Sequence, residues 1–260
     1  MSTKDLYSIC KDKATEHTMF YHYTNLESLL KIMSSRSIRL TQLALVNDLE
    51  EERRIDPIKR NKVFAACFNH HSDESIPLWN MYSKDKYGLR LGFPNISFFE
   101  NHDNYFFIEN DIRKCLPDND WEIRDACIVD IEYVDDPDAH VDYMDPLDSG
   151  VKIPYSINIG LIKRKAWNFE SETRARVYIE STQSVRTYLF ELEQPGIWHP
   201  FFDHIYCQLT DDDINRMTIT FNPFMSDELK HLVMLAVTSY LPDFNNDNFF
   251  NSMLENKIRI

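Results

Sequence analysis

Two glutamates and an arginine alternate at Glu170, Glu172 and Arg174, in the run FESETRARVYI. On a strand, side chains two residues apart lie on one face, so Glu172 and Arg174 would be neighbours. Two close carboxylates raise the pKa of one of them, which suits proton handling, and a guanidinium can hold a carboxylate or a phosphate. The pattern marks a candidate site, although the solvated face of an edge strand with cross-strand ion pairs has the same sequence.

A second group of residues has the chemistry of ligand-site walls. His22-Tyr23-Thr24 supplies an imidazole, a phenol ring and a hydroxyl, while Trp79 and Tyr82 are three residues apart, as on one helical turn. The rings could stack on a flat ligand and the polar groups could bond its edges. The alternative is that the three rings pack in the core and that His22 is a partly buried, hydrogen-bonded histidine.

Other motifs carry weaker signals. Asn47-Asp48 has turn and capping chemistry, so its default role is structural and a substrate-loop role comes second. Neither His70-His71 nor the spacing of His199 and His204 fits a metal motif, and we expect no metal. The chain has no G-x-S-x-G elbow, no G-x-G-x-x-G turn and no G-x-x-x-x-G-K-[ST] loop, which argues against serine hydrolases, Rossmann enzymes and P-loop enzymes.

The elements that must position these residues follow from local patterns. We expect strands at 19–24, 37–41, 63–69, 88–93, 126–134, 172–179, 187–193, 204–209 and 217–222. We expect helices after a capping box at Thr24 to Glu27, at 76–83, at 157–169 and after the cap Ser226. Residues 94–125 and 135–156 are expected to be surface excursions or a lid.

Composition bounds the class of protein. The 260 residues are 43% hydrophobic and carry a formal net charge of -14, as expected for one packed, acidic domain over residues 1–260. Such a charge repels phosphate backbones, so any nucleic-acid contact would need a local basic patch. No secretory or membrane segment is evident, and we expect a cytoplasmic protein without a membrane partner.

Several blocks occur in an order that identifies a family. They are His22-Tyr23-Thr24, Val46-Asn47-Asp48 with Glu50 and Glu51, Ala66-Cys67-Phe68, Trp79 with Tyr82, Gly88 to Phe93, the set Lys163, Lys165, Trp167, Glu170, Glu172 and Arg174, and Ile219 to Ser226. Together they resemble the bacterial domain-of-unknown-function family 2971 along almost the whole chain. Asn222 stands where that family usually has a glycine before the proline.

His22-Tyr23-Thr24 early in the chain and Glu172 late in it also resemble the ADP-ribosyltransferase superfamily, which has a His-x-Thr strand and a late catalytic glutamate. That resemblance implies an α+β fold with two mostly antiparallel sheets forming a cleft and flanking helices. It implies NAD as substrate, with Glu172 stabilising the oxocarbenium-like ribose or orienting its 2′-OH, and Glu170 as a second carboxylate. His22, Tyr23, Thr24, Trp79, Tyr82 and Arg174 would then contact NAD.

Three functions fit these observations. The first is an NAD-dependent ADP-ribosyltransferase-like enzyme that modifies nucleic acid or protein, as a toxin or phage-defence effector with a protein partner or antitoxin. The second is a non-catalytic interaction or sensor module whose acidic surface docks a basic partner. The third is a nuclease in which Asp48, Glu51, Glu170 and Glu172 gather Mg²⁺.

Overall fold

The computed structural model describes residues 17–46, 48, 62–83, 87–94, 106–107, 121–140, 143–144, 153–154, 159–181 and 203–258. The strands in these ranges are β1 (Met19–Asn25), β2 (Ser37–Gln42), β3 (Val63–Asn69), β4 (Gly88–Pro94), β5 (Phe106–Phe107), β6 (Trp121–Asp130), β7 (Glu132–Val134), β8 (Tyr143–Met144), β9 (Ile153–Pro154), β10 (Ile162–Arg164), β11 (Glu172–Ser181), β12 (His204–Gln208), β13 (Thr218–Phe221) and β14 (Phe249–Phe250). The α-helices are α1 (Leu26–Ser35), α2 (Ile76–Tyr82), α3 (Asp211–Arg216) and α4 (Asp227–Tyr240). Short 3₁₀ helices span Leu43–Leu45, Pro137–His140, Lys165–Glu170 and Asn246–Asn248.

Ten of these strands form one large sheet. Its main path runs β14-β13-β4-β1-β3-β2-β12-β5, and β11 pairs with both β3 and β6. Within the described ladders of this sheet, only β13 and β14 are parallel. The remaining strands form two small sheets, a parallel pair of β7 with β10 and an antiparallel pair of β8 with β9. The α+β class predicted from the sequence is confirmed.

The main core lies between the large sheet and two helices. Leu29 of α1 and Val233 of α4 are fully buried in one cluster with sheet residues such as Phe64 and Val177. Strand β11 shows how the sheet divides its faces, because Ala175 and Val177 belong to this core. The alternate residues Glu172, Arg174 and Arg176 therefore point to the opposite face.

The junction of β1 and α1 is set by a helix cap. The side chain of Asn25 accepts a hydrogen bond from the Ser28 N–H at 2.9 Å, so Asn25 is the N-cap residue. The predicted capping box, which began at Thr24, was therefore wrong by one residue, since Thr24 is a buried member of β1. At the other end Arg36 turns the chain with a φ of 50°, and β2 starts at once.

Some predicted elements differ from the structure. The helix predicted over residues 157–169 is wrong: the described part forms β10 and a 3₁₀ helix, because β10 pairs with β7 and its central residue Lys163 is held by buried carboxylates. Helix α3 was not predicted, and β6 begins at Trp121, inside the expected surface excursion 94–125. The segment 135–156 contains a 3₁₀ turn, β8 and β9. The predicted strand 187–193 and residues 49–61 lie outside the described residues.

No helix in the described part of the chain combines the length and the hydrophobicity needed to cross a lipid bilayer. Cys67, Cys127 and Cys207 are free thiols, and Cys10 and Cys115 lie outside the described residues.

Candidate active site

A cleft lies at the end of β3, between β1, the start of β11 and helix α2. β1 meets β3 through Tyr21 and Asn69, whereas β2 meets it at Ala65 and Phe64. Between these contacts the Cys67 carbonyl accepts a hydrogen bond from Nδ1 of His22 at 2.9 Å. The cleft has a volume of about 90 Å³. It is lined by Tyr21, His22, Tyr23, Cys67, Phe68, Asn69, Leu78, Tyr82, Glu170 and Glu172.

Glu172 and Arg174 form a buried ion pair on β11. Nε of Arg174 donates to Oε1 of Glu172 at 2.6 Å, and Nη1 donates to the Gly160 carbonyl at 2.6 Å. Glu172 is 2% exposed and Arg174 is 1% exposed. Because β11 lies between β3 and β6, the alternative of a solvated edge strand is wrong. The predicted proximity of Glu172 and Arg174 is confirmed.

Glu170 reaches the same site by another route. It ends the 3₁₀ helix, and Ser171, with a φ of 40°, turns the chain into β11, so Glu170 does not continue the strand alternation as predicted. Nζ of Lys163 lies 2.6 Å from Oε2 of Glu170 and 2.6 Å from Oε2 of Glu172. A single buried ammonium thus bridges the two carboxylates.

The pKa values of the two glutamates are shifted in opposite directions. Burial alone would raise the pKa of Glu172, but Arg174 and Lys163 outweigh it and lower that pKa to about 2. For Glu170, burial, helped by the charge of Glu172, raises the pKa above its ordinary value despite Lys163. Burial and Arg174 act to lower the pKa of Lys163, yet the carboxylates keep it above its usual range. Two carboxylates whose pKa values are separated by their surroundings can divide the roles of anion and proton carrier.

Asn69, Tyr133 and Cys67, which sequence reasoning did not assign to the site, interact with the two glutamates, and the first two do so through backbone atoms. Nδ2 of Asn69 donates to the Glu170 carbonyl at 2.6 Å, and the Glu172 N–H donates to the Tyr133 hydroxyl at 2.9 Å. The Cys67 side chain helps to lower the pKa of the Glu172 carboxylate. Lys163 was seen in the sequence only as part of a basic run and of the family blocks. No local pattern pairs Lys163 or Tyr133 with residues of β11.

The predicted aromatic wall is only partly assembled. Tyr23 and Tyr82 line the cleft, and the Tyr82 hydroxyl donates to Oε1 of Glu170 at 2.6 Å. Trp79 does not line the cleft, because its ring packs edge-on against Tyr23 at 5.0 Å and is 2% exposed. Its indole N–H donates to Glu74 instead. Trp79 therefore supports the wall from behind.

The imidazole of His22 is placed to remain neutral. Its Nδ1 must carry the proton, since the Cys67 carbonyl can only accept a hydrogen bond. Burial lowers the pKa of His22 despite this backbone hydrogen bond. At neutral pH the residue therefore presents an uncharged ring to the cleft.

The other predicted site residues lie elsewhere. Thr24, Asp48 and Arg174, which was expected to contact NAD, are buried and are not among the residues that line the cleft, whereas Asn47 and Glu51 lie outside the described residues. Lys163 fills the position between the carboxylates of Glu170 and Glu172 that a cation would take. The nuclease hypothesis therefore has little support from the described part of this site.

Comparison with protein-family models, with curated proteins and with solved structures gave no match.

Proposed function

We propose that the chain is an ADP-ribosyltransferase-like enzyme that binds NAD and transfers its ADP-ribose to a nucleic acid or a protein. The observation that carries the proposal is the pair of buried carboxylates, Glu170 and Glu172, at a cleft with aromatic walls. The resemblance to ADP-ribosyltransferases supports the same reaction, whereas the resemblance to the domain-of-unknown-function family 2971 bears on the fold and leaves the activity open.

The charge states of the glutamates fit the chemistry of this transfer. Breaking the bond between nicotinamide and ribose develops positive charge on the ribose ring, and a fixed carboxylate stabilises that charge. Glu172, with a pKa of about 2, is an anion at neutral pH. Glu170, whose pKa is raised, is the better proton acceptor for an incoming hydroxyl or amine of the acceptor.

The size of the cleft limits which part of NAD it holds. Drug-sized ligands occupy pockets of roughly 300–1,000 Å³, whereas a cavity of roughly 150 Å³ holds one benzene ring. A volume of about 90 Å³ is below both values, so the cleft can enclose only part of a single ring, and we assign it to the nicotinamide end of NAD. Tyr21, Tyr23 and Tyr82 supply rings against which it can stack.

The non-catalytic interaction module remains the second candidate. It is favoured by one observation, the burial of Tyr23 and Trp79 in a common cluster with Leu78. In that function the aromatics only support the fold, and the Glu170, Glu172 and Lys163 cluster is structural.

Release of nicotinamide from NAD distinguishes the two functions. Wild type should release it in the presence of cell lysate as a source of acceptors, and Glu172→Gln should be slower by roughly 100-fold or more, because a stabilising charge is lost. Glu228→Gln, at an exposed position on α4, is the matched control and should keep the wild-type rate. If wild type releases no nicotinamide, or if wild type and Glu172→Gln release it at the same rate, the proposed enzymatic function is rejected.

A further inference from the structure

A second cluster of ligating side chains lies away from the cleft, on the other face of β11. His17 precedes β1, His70 follows β3 directly, and Asp130 ends β6. Nε2 of His17 lies 2.9 Å from Oδ2 of Asp130, and Nδ1 of His70 lies 3.7 Å from Oδ1. One ligand atom from each residue falls within 4.8 Å of the others. We propose that these three residues bind a divalent transition-metal ion of the zinc type.

The separations of the ligand atoms suit such an ion. Zinc binds imidazole nitrogen and carboxylate oxygen at about 2 Å in tetrahedral geometry, so its ligands are about 3.3 Å apart. The distances of 2.9 Å and 3.7 Å from Asp130 to the two imidazoles lie on either side of this value. The third separation, between the ligand nitrogens of the two imidazoles, is at most 4.8 Å.

The two imidazole rings are stacked beside the same carboxylate. The imidazoles of His17 and His70 are nearly parallel, with centroids 4.0 Å apart and planes 10° apart. Phe20 packs edge-on against His17 at 6.3 Å and fixes the outer ring. Each ring has a nitrogen near this carboxylate, and the rings must tilt apart for both nitrogen lone pairs to converge on one ion.

Thr173 orients the carboxylate from behind. Its hydroxyl donates to Oδ1 of Asp130, and its backbone pairs with that of Asp130. Outer partners of this kind hold a ligating carboxylate in position. Nδ1 of His70 also lies 3.0 Å from the Thr173 hydroxyl, and the ion would replace that contact while the imidazole proton moves to Nε2.

The cluster is open enough for an ion to enter. The side chains of His17, His70 and Asp130 are 32%, 19% and 43% exposed. Two imidazoles and one carboxylate match the preference of zinc, iron, copper and nickel rather than magnesium or calcium. Three protein ligands leave a fourth position for water or another small ligand.

This site was not visible in the sequence, where no metal was expected. Its ligands come from segments about 50 and 60 residues apart in the chain, so no short spacing motif marks them. The bridge between the ends of β1, β3 and β6 exists only after the sheet has formed. The inference does not depend on the proposed use of NAD.

The test is metal titration of the full-length chain after removal of metals with a chelator. Calorimetry with Zn²⁺ and visible absorption with Co²⁺ at pH 7.5 report stoichiometry and ligand geometry, and thermal unfolding reports stability. The variants are His17→Gln, His70→Gln and Asp130→Asn, with His231→Gln on the exposed side of α4 as the matched control. Circular dichroism verifies that each variant is folded. If Asp130→Asn unfolds, the test relies on His17→Gln, because His17 is partly exposed and its substitution should perturb the fold least.

We expect one ion per chain in wild type and in His231→Gln, with tetrahedral Co²⁺ absorption and a higher unfolding temperature on adding Zn²⁺. Loss of a residue that only hydrogen-bonds to a metal ligand lowers metal affinity by roughly 10- to 100-fold. Each ligand variant should lower the affinity for Zn²⁺ by more than this. No stoichiometric binding by wild type would overturn the site. Equal metal binding by wild type and a folded His17→Gln would also overturn the proposed site. The three side chains would then form a hydrogen-bonded cluster without a metal function.

Discussion

At the scale of single residues, Lys163 is the counter-ion that allows two carboxylates to be buried together. Its Nζ contacts both Glu170 and Glu172, and its side chain is 3% exposed. Removing one partner of a buried ion pair leaves an uncompensated charge. The stability of the cleft should therefore depend on this one ammonium.

Lys163→Met should lower the free energy of unfolding by about 3–5 kcal/mol at pH 7.5, measured by urea denaturation. Lys165→Met is the matched control, because Lys165 pairs with Asp135 at the surface, where the side chains are 55% and 82% exposed. That exposed pair should contribute at most about 1 kcal/mol. Equal losses in the two variants would show that the buried cluster does not stabilise the fold.

Glu172 should make stability depend on pH in the acid range. Its pKa falls from 4.5 to about 2 on folding, so its stabilisation is complete above pH 4.5 and is lost as the pH falls toward 2. This shift corresponds to on the order of 3 kcal/mol. The difference in unfolding free energy between wild type and Glu172→Gln should shrink by that amount over this window.

Glu170→Gln is the contrasting variant for the same pH series. The folded pKa of Glu170 is raised, so its contribution is present below 4.5 and is lost as the pH rises. Wild type should therefore weaken relative to Glu170→Gln with increasing pH, opposite in sign to Glu172→Gln. If the difference in unfolding free energy between wild type and Glu172→Gln is constant between pH 2 and pH 7, Glu172 is not stabilised by its ion pairs in the folded state.

At the scale of elements, the turn before β10 holds the arginine of the site. Gly160 has a φ of 77°, and its carbonyl accepts from Arg174. An added Cβ would stand 2.7 Å from a Leu43 methyl and 3.2 Å from Nη1 of Arg174. Both backbone and packing therefore require glycine here.

Gly160→Ala should cost about 1–2 kcal/mol for the left-handed backbone, and more if Leu43 cannot move, measured by thermal unfolding. It should also weaken NAD binding, because Arg174 must shift and would then no longer hold Glu172 in place at the cleft. Asn256→Ala shares the positive φ, at 59°, on an exposed turn and is the control. It should lose stability without losing affinity. If Gly160→Ala binds NAD as tightly as wild type, the turn at Gly160 does not contribute to the NAD site.

The strands were the most predictable elements. The observed β1, β2, β3 and β4 end within one residue of the strands predicted at 19–24, 37–41, 63–69 and 88–93, and α4 begins at its predicted cap, Ser226. The region from Ile159 to Glu170 failed as a helix because its conformation depends on pairing with β7 and on ion pairs to β11. Local propensity does not contain such distant contacts.

The candidate site was predictable to the extent that it is local. Alternation along β11 placed Glu172 beside Arg174, and the aromatic run in β1 placed Tyr23 at the cleft. Lys163 and Tyr133 join the site only through tertiary packing, so the sequence offered no spacing rule for them. Trp79 shows the converse, because a residue suited to stacking supports the core instead.

At the scale of the whole molecule, a formal net charge of -14 surrounds a site whose own charges are balanced. Glu170 and Glu172 face Lys163 and Arg174, so the buried cluster adds no net charge when all four are ionised. For the proposed transferase, the net negative charge favours acceptors with basic surfaces. A nucleic-acid acceptor would have to approach along a local basic surface.

The most direct measurement is calorimetric titration of the purified full-length chain with NAD. We expect saturable 1:1 binding by wild type, about 10-fold weaker binding by Tyr82→Leu, which removes a stacking ring from the cleft, and wild-type binding by Tyr240→Leu, an exposed control on α4. No binding of NAD to wild type, or equal binding by both variants, would contradict the assignment of this cleft to nicotinamide.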